Sequence, residues 1–293
     1  DIKRRIVEIL NLENISFDTL LATYLLDYNE LDRNLPTNQK LKSYLDALTL
    51  DDFAQIKHEV LTEEAWVLTS SKIGKILDKL NQQPKRLQDY FDKIFCGLQT
   101  SRDNTYFLQH CSYTNNYVSG YSRDLNKVVT IEVGLTHPLL KGDDVHRYDV
   151  IQTHRAVIFP YHIEKEGAVL YTEKELKNLF PKGYEYLREC EDILKSRENG
   201  RLKHDPCWYK YIYPKSLALF CKEKLVSPYT SLGSNYAYDA KGDFYATTKI
   251  YGYIKKNGVK SSYKALLAIL NSSVMWYFIK NTGYVLKGGY YTY

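Results

Sequence analysis

Apolar residues return at three- and four-residue spacing in some stretches of the chain and alternate or cluster in others. Ile73, Ile76, Leu77 and Leu80 share one face of a helix predicted over 70–80, with Lys72, Lys75 and Lys79 opposite. Leu41, Tyr44, Leu45 and Leu48 mark an earlier amphipathic helix, and Thr49 is placed to cap a short one through Ile56. Thr172 followed by Glu175 forms a capping-box pattern opening a helix that reaches Leu179. Phe180-Pro181 separates it from a helix over 182–197 with Tyr184, Leu187, Ile193 and Leu194 in its stripe. The clearest pattern, with Leu266, Leu267, Leu270, Val274 and Phe278 in it, predicts a single helix from Tyr263 to Ile279.

β-Branched and aromatic runs predict strands between those helices. Val128–Val133 and Ala156–Phe159 are the most apolar, and Pro160-Tyr161 reads as a continuation into the core. Ile94-Phe95-Cys96, then Gly97, a polar turn, and Thr105 to Leu108 read as strand, turn, strand. Lys224–Pro228, Asn235–Tyr238, Phe244-Tyr245 and Ile250–Ile254 read as a β-meander. Two early runs, Arg5 to Leu12 and Thr19 to Tyr28, fit strand or helix equally. Strands and helices in runs, without βα alternation, give an α+β fold: a mixed or antiparallel sheet with packed helices. The helices over 182–197 and 263–279 are expected on one mixed sheet that holds both Val128–Val133 and Ala156–Phe159.

With 293 residues, 44% of them hydrophobic, the chain can bury one large core or two smaller ones. No apolar run approaches a membrane span, so no membrane partner is expected. Cys96, Cys111, Cys190, Cys207 and Cys221 form no CxxC pair and read as reduced thiols of a cytoplasmic protein. Asp1-Ile2-Lys3 at one end and Tyr291-Thr292-Tyr293 at the other read as the cut ends of a fragment. Net charge is +5, unevenly spread: residues 200–293 hold 14 Lys and Arg against 4 Asp and Glu, with about half of the 28 tyrosines. A basic third interleaved with phenols is the footprint of a nucleic-acid face, and a merely solvated lysine-rich face is the alternative.

Most catalytic chemistry lacks its residues here. An adenine methyltransferase needs a glycine-rich loop for S-adenosylmethionine and an Asn/Asp-Pro-Pro-Tyr/Phe turn, and the chain has no Pro-Pro pair. It has no P-loop, no HExxH, and no serine or cysteine nucleophile motif. Glu175-Leu176-Lys177 has the spacing of a metal-nuclease Glu-x-Lys but sits on an amphipathic helix without an upstream Asp. His137, His146, His154 and His162 cluster in sequence at spacings that do not make a zinc set. The expectation is a chain with no active site, cofactor or metal of its own.

Two stretches carry candidate binding chemistry. Gly97-Leu98-Gln99-Thr100-Ser101-Arg102-Asp103-Asn104 and Lys141-Gly142-Asp143-Asp144-Val145-His146-Arg147-Tyr148 each set a glycine beside hydroxyl and cationic groups. Such loops suit contacts with phosphates and base edges, and two ordinary surface hairpins would read the same way. Their order along the chain decides more. Trp66-Val67-Leu68 comes before a helix, and the Gly97 element with Tyr106-Phe107-Leu108 follows it. Leu139-Leu140-Lys141-Gly142-Asp143-Asp144, Val157-Ile158-Phe159-Pro160-Tyr161, Leu270-Asn271-Ser272 and Lys287-Gly288-Gly289-Tyr290-Tyr291 complete the series. Together these pieces resemble the TaqI-like C-terminal specificity domain of N6-adenine DNA methyltransferases, a group that includes type IIG restriction–modification enzymes. The resemblance covers 62–293, and residues 1–61 are more faintly similar to the end of a methyltransferase domain plus a helical connector.

The resemblance implies a DNA target-recognition module. Its partners would be double-stranded DNA and a catalytic methyltransferase domain of the same polypeptide, which would bind S-adenosylmethionine. The residues expected to contact DNA are Thr100, Arg102 and Asn104, then Lys141, Asp144 and Arg147, then Lys287, Tyr290 and Tyr291. Gly97, Gly142, Gly288 and Gly289 are expected as turn formers, and Asp144 has the alternative of capping its turn or pairing with Arg147. Rival functions are a protein–protein docking module and an enzyme whose active site is unrecognised.

Overall fold

The computed structural model describes residues 71–292 except 166, 287 and 288. The expectations for 1–70, including the first apolar runs, the helix after Leu41, Trp66-Val67-Leu68 and the boundary at residue 61, lie outside the described residues. Among those described, one unit comprises Arg86–Trp276 with Thr292, and a second takes in 71–85 and Tyr277–Tyr291.

In the larger unit β1 (Phe91–Cys96) ends at Gly97 and β2 (Phe107–Tyr113) begins after a helical turn, Asp103–Tyr106. Thr105 and Tyr106, expected at the start of the second strand, belong instead to that turn, because both N–H groups donate to the Arg102 carbonyl at 3.1 and 3.3 Å. Next come β3 (Tyr117–Ser122), β4 (Lys127–Glu132), β5 (Thr136–Leu140) and β6 (Ala156–Ile158). The hairpin of β7 (Tyr161–Glu164) and β8 (Gly167–Leu170) follows. After the helices the chain forms β9 (Lys224–Pro228), β10 (Thr230–Ser231), β11 (Ala237–Asp239), β12 (Tyr245–Ala246) and β13 (Ile250–Lys255).

These strands build two main sheets. The six-stranded sheet has the order β12-β5-β6-β2-β3-β4, antiparallel except where β12 runs parallel to β5. All three residues of β6 are buried, as an apolar strand between two neighbours should be, while β3 alternates buried and half-buried positions. The four-stranded antiparallel sheet has the order β1-β13-β9-β11. The meander expected over 224–254 is therefore broken, since β12 leaves for the other sheet. The Asp239 carboxylate causes this turn: it accepts from the N–H groups of Gly242, Asp243 and Phe244 at 3.0–3.1 Å and is paired with the buried Lys224.

Two cores form, and the four-stranded sheet contributes to both, with Phe95, Val226 and Ile250 in the first. Tyr106, Leu108, Val118, Ile131, Leu135, Leu139 and Val157 fill the first, with Leu176, Leu187 and Leu194 from the helices. Fully burying one such leucine contributes about 1.5–3 kcal/mol. Phe91, Leu225, Tyr253, Tyr263, Leu266 and Leu270 fill the second. The strands 127–132 and 156–158 do share one sheet, but the two helices do not pack on it together. The Pro181–Glu189 helix lies on β4, whereas the Tyr263–Leu270 helix lies on β9 and β11 of the other sheet.

Both long helices are interrupted. The first breaks at Cys190 (φ −92°, ψ 4°) and restarts as Glu191–Lys195. The second breaks at Asn271, whose side chain turns aside to accept from Tyr236 N and donate to Tyr236 O, both at 2.8 Å; Ser272 then caps the next helix, Ser273–Thr282. The Thr172–Glu175 capping box forms as expected, with bonds of 3.2 and 2.7 Å between the two residues. In the second unit Leu77 on the Ser71–Asn81 helix is buried, and Gly289 (φ +77°) turns the chain between Leu286 and Tyr290.

Many of the tyrosines serve the core. Tyr209, Tyr211, Tyr236, Tyr245, Tyr253 and Tyr263, from the third whose phenols were expected on a nucleic-acid face, are all buried. Their hydroxyls stay satisfied in the interior: Tyr209 donates to Tyr171 O at 2.7 Å and Tyr211 to Ile158 O at 2.6 Å.

Candidate nucleic-acid interface

The two candidate loops leave strands of different sheets, β1 and β5, and the segment after β12 links them. Gly97 N donates to Ile250 O at 3.0 Å and Leu98 N to Ala246 O at 2.8 Å, while Thr247 N donates to Leu140 O at 3.0 Å. The segment Thr247-Thr248-Lys249 thus lies between loop 97–104 and the strand that feeds loop 141–149. Gly97 is there for close approach: a Cβ would stand 2.0 Å from the Thr247 carbonyl oxygen. Burial pushes the Asp103 carboxyl up, against the Thr100 hydroxyl bond and the nearby charge of Lys141.

A groove of about 620 Å³ opens along the first loop, walled by Gln99, Ser101, Arg102 and Asn104 of that loop and by Tyr213, Lys215 and Thr248 of the segments bridged to it. Left-handed non-glycine residues gather around it: Ser101 (φ +63°), Glu198 (φ +49°), Asn199 (φ +59°) and Ser216 (φ +58°). Such conformations cost of order 1–3 kcal/mol each and persist only where surrounding contacts hold them. The contacts are specific. Ser101 Oγ donates to one Glu198 carboxylate oxygen at 3.2 Å, and Tyr213 OH donates to the other at 2.9 Å, so Glu198 ties the two walls.

Beneath the groove sits Arg197, 5% exposed. Its guanidinium donates to the carbonyls of Thr100, Leu194, Trp208 and Lys210 at 2.8–2.9 Å and lies over the Tyr106 ring. One buried cation thereby joins loop 97–104 to the segment that leads to Tyr213 and Lys215. Thr100 belongs to the same support. Fully buried, its hydroxyl donates to Asp103 at 2.7 Å and accepts from Arg102 N at 3.0 Å, so it holds the loop rather than facing outward.

Arg102 does face outward, with 42% of its side chain exposed, but it is held in place. Nε and Nη2 bond the two oxygens of Asp124 at 2.9 and 2.6 Å, and Thr105 also donates to that carboxylate. Burial pushes the Asp124 carboxyl up, and the Arg102 and Thr105 bonds outweigh it to leave it below the usual range. Asn104 is exposed beside it.

The second loop is built differently. Gly142–Asp144 is a 3-10 turn closed by Asp144, which accepts from Lys141 N at 2.7 Å. Asp144 pairs with Arg155, both oxygens at 2.7 Å, and not with Arg147. Arg147 is exposed, with its guanidinium 5.9 Å from the Tyr148 ring centroid. Tyr148 (φ +62°) is 75% exposed and donates to Asn271 O at 3.1 Å, which anchors the loop tip to the helix break. Lys141 is half-buried.

Of the terminal residues, Lys287 and Gly288 lie outside the described set. Tyr290 is exposed, Tyr291 is half-buried, and both belong to the second unit. Tyr213, Lys215, Thr248, Glu198 and Arg197 were missed by sequence reasoning. They reach the groove only through the fold, and the one local hint was the break at Asn199-Gly200. Among the described residues no group of His, Cys, Asp and Glu could hold a metal, and no helix is long and apolar enough to cross a membrane. Glu175 is occupied by its capping box. All five cysteines are free.

The pattern that defines the TaqI-like C-terminal specificity domain matches residues 137–293. The chain is also 26% identical over 243 residues to the type II restriction enzyme and methyltransferase RM.Eco57I of Escherichia coli, covering 78% of this chain and 24% of that protein. It therefore spans about a quarter of the length of that relative.

Proposed function

The chain belongs to the family of TaqI-like C-terminal specificity domains, and from that premise we propose that it is a DNA target-recognition module. In this reading it selects a duplex sequence and holds it for an adenine methyltransferase domain of the same polypeptide. S-adenosylmethionine belongs to that catalytic domain and not to the loops described above.

The observation that carries the reading is the convergence of three separate loops on one polar, cationic groove braced from below. Base recognition needs side chains on a fixed backbone, whereas phosphates need only a cation within reach. In this reading Arg102 and Asn104 of the first loop and Arg147 of the second take base edges, while Lys141, Lys215, Lys249, Lys287, Tyr290 and Tyr291 take phosphates. Thr100 and Asp144 act from beneath, by shaping the loops.

The test is fluorescence anisotropy of a labelled duplex against salt. With roughly 5 neutralised phosphates, log K should fall with log salt at a slope of about −4.5. Binding that ignores salt, or appears only with another protein, would replace this reading with a docking module.

A further inference from the structure

Resting on that reading, we infer that Gln99 is a specificity-determining residue that recognises one adenine through the major groove. Gln99 is exposed on the wall of the groove, between Leu98 and Thr100, which are 1% and 0% exposed. The alternation is that of a strand: its neighbours point into the core, so its own amide points out.

Its backbone is the best-anchored part of the loop. Leu98 pairs with Thr247 and donates to Ala246 O at 2.8 Å, Gln99 itself is bridged antiparallel to Tyr213, and the Thr100 carbonyl accepts from buried Arg197 at 2.9 Å. The Gln99 amide, by contrast, has no hydrogen-bond partner among the described residues, so its donor and its acceptor are both available. Arg102, the other long side chain on this wall, already gives two of its nitrogens to Asp124.

A primary amide offers one donor and one acceptor side by side. The major-groove edge of adenine presents the matching pair, N7 as acceptor and the N6 amino group as donor, and no other base presents them in that order. The amide N–H₂ of Gln99 would donate to N7 while its carbonyl oxygen accepts from N6. Lys215, exposed in the same groove, would take a phosphate and fix the strand.

The experiment selects sites from a randomised duplex library with the whole protein, wild type, Gln99→Ala and Gln99→Met, and then replaces each adenine of the selected site by 7-deaza-adenine. In the wild type, one position should lose affinity on the order of tenfold when N7 is removed. Both variants should bind the unmodified site on the order of tenfold more weakly, lose nothing further from that one replacement, and bind random DNA within about twofold of wild type. That non-additivity reports direct contact and would not follow from a loosened loop. If the wild type selects a motif and the variants select the same motif with undiminished strength, the assignment of Gln99 is wrong while the DNA-recognition reading stands. Losses that multiply independently at every adenine overturn it equally. A wild type that selects no motif removes the functional reading and this inference with it.

Discussion

Loops 97–104 and 141–149 begin with the same ingredients, a glycine, hydroxyls and an arginine, and end as opposite devices. The first is fixed from beneath by Arg197 and from the side by Asp124, and its backbone is bridged to Thr247 and Tyr213. The second is closed at its base by Asp144 and Arg155 and pinned by the buried Val145, and its tip is held by Arg147 N on the Asn235 side-chain oxygen at 3.3 Å and by the Tyr148 hydroxyl on Asn271 O. In the proposed reading the first loop offers Arg102 and Asn104 from a backbone braced by buried groups, and the second offers Arg147 from a turn closed by Asp144.

Removing the brace should break the contrast most. Arg197→Met leaves four carbonyls without a donor, so urea unfolding should show a loss of about 3 kcal/mol or more. Arg197→Lys should recover only part of it, because one ammonium cannot reach all four oxygens. Asp144→Ala, the corresponding change in the second loop, should cost only about 1 kcal/mol, since its pair with Arg155 is partly exposed to water. Equal losses would mean that both loops depend alike on their supports.

Acid offers a second, smaller way to separate them. His137 on β5, which feeds only the second loop, is stacked on Tyr245, and burial pushes its pKa down from 6.5 to about 4. A histidine held neutral contributes stability above its unfolded pKa and loses it as pH falls through the folded one. Stability should therefore decline between pH 6.5 and about 4, by on the order of 2 kcal/mol after discounting partial exposure. His137→Phe should flatten that part of the curve, as read by thermal unfolding at a series of pH values.

The arginines sharpen the contrast in binding. Arg102→Ala and Arg147→Ala should each cost about 1–3 kcal/mol on the selected site and little on random DNA. Asp124→Asn should mimic Arg102→Ala only partly, because it loosens the guanidinium without removing it. Competition assays with the two duplexes measure both. Losses of the same size on random DNA would mark either arginine as a phosphate contact.

What the sequence disclosed depends on how local the cause was. The capping box at Thr172 and Glu175, the helix over 71–81 and the strands at 128 and 156 come from residues a few positions apart and form as read, although Ile76 of the expected apolar face is 42% exposed. The broken helices were not legible, because Asn271 leaves its helix for Tyr236, 35 positions earlier. The groove was legible on one wall only. Its second wall, Tyr213 with Lys215, and its brace, Arg197, arrive through contacts of about 100 positions with the first loop. The tyrosines misled for a physical reason: composition cannot distinguish a phenol that meets solvent from one whose hydroxyl, like that of Tyr211, finds a carbonyl inside the core.

The smallest effect tests the rim rather than the walls. Lys215 lines the same groove as Arg102 and is exposed, and the proposed reading gives it the phosphate chain and not a base edge. A single exposed cation on a phosphate contributes little at moderate salt, and Lys215→Ala should weaken binding by less than about 1 kcal/mol. The magnitude matters less than its pattern. Because a phosphate carries no sequence information, the selected site and random DNA should lose equally, and the slope of log K against log salt should flatten by about one unit. Arg102→Ala predicts the reverse pattern, with a large change on one sequence only. Should Lys215→Ala change the selected sequence while leaving the salt slope intact, Lys215 also reads bases, and bracing would not be what distinguishes the first loop.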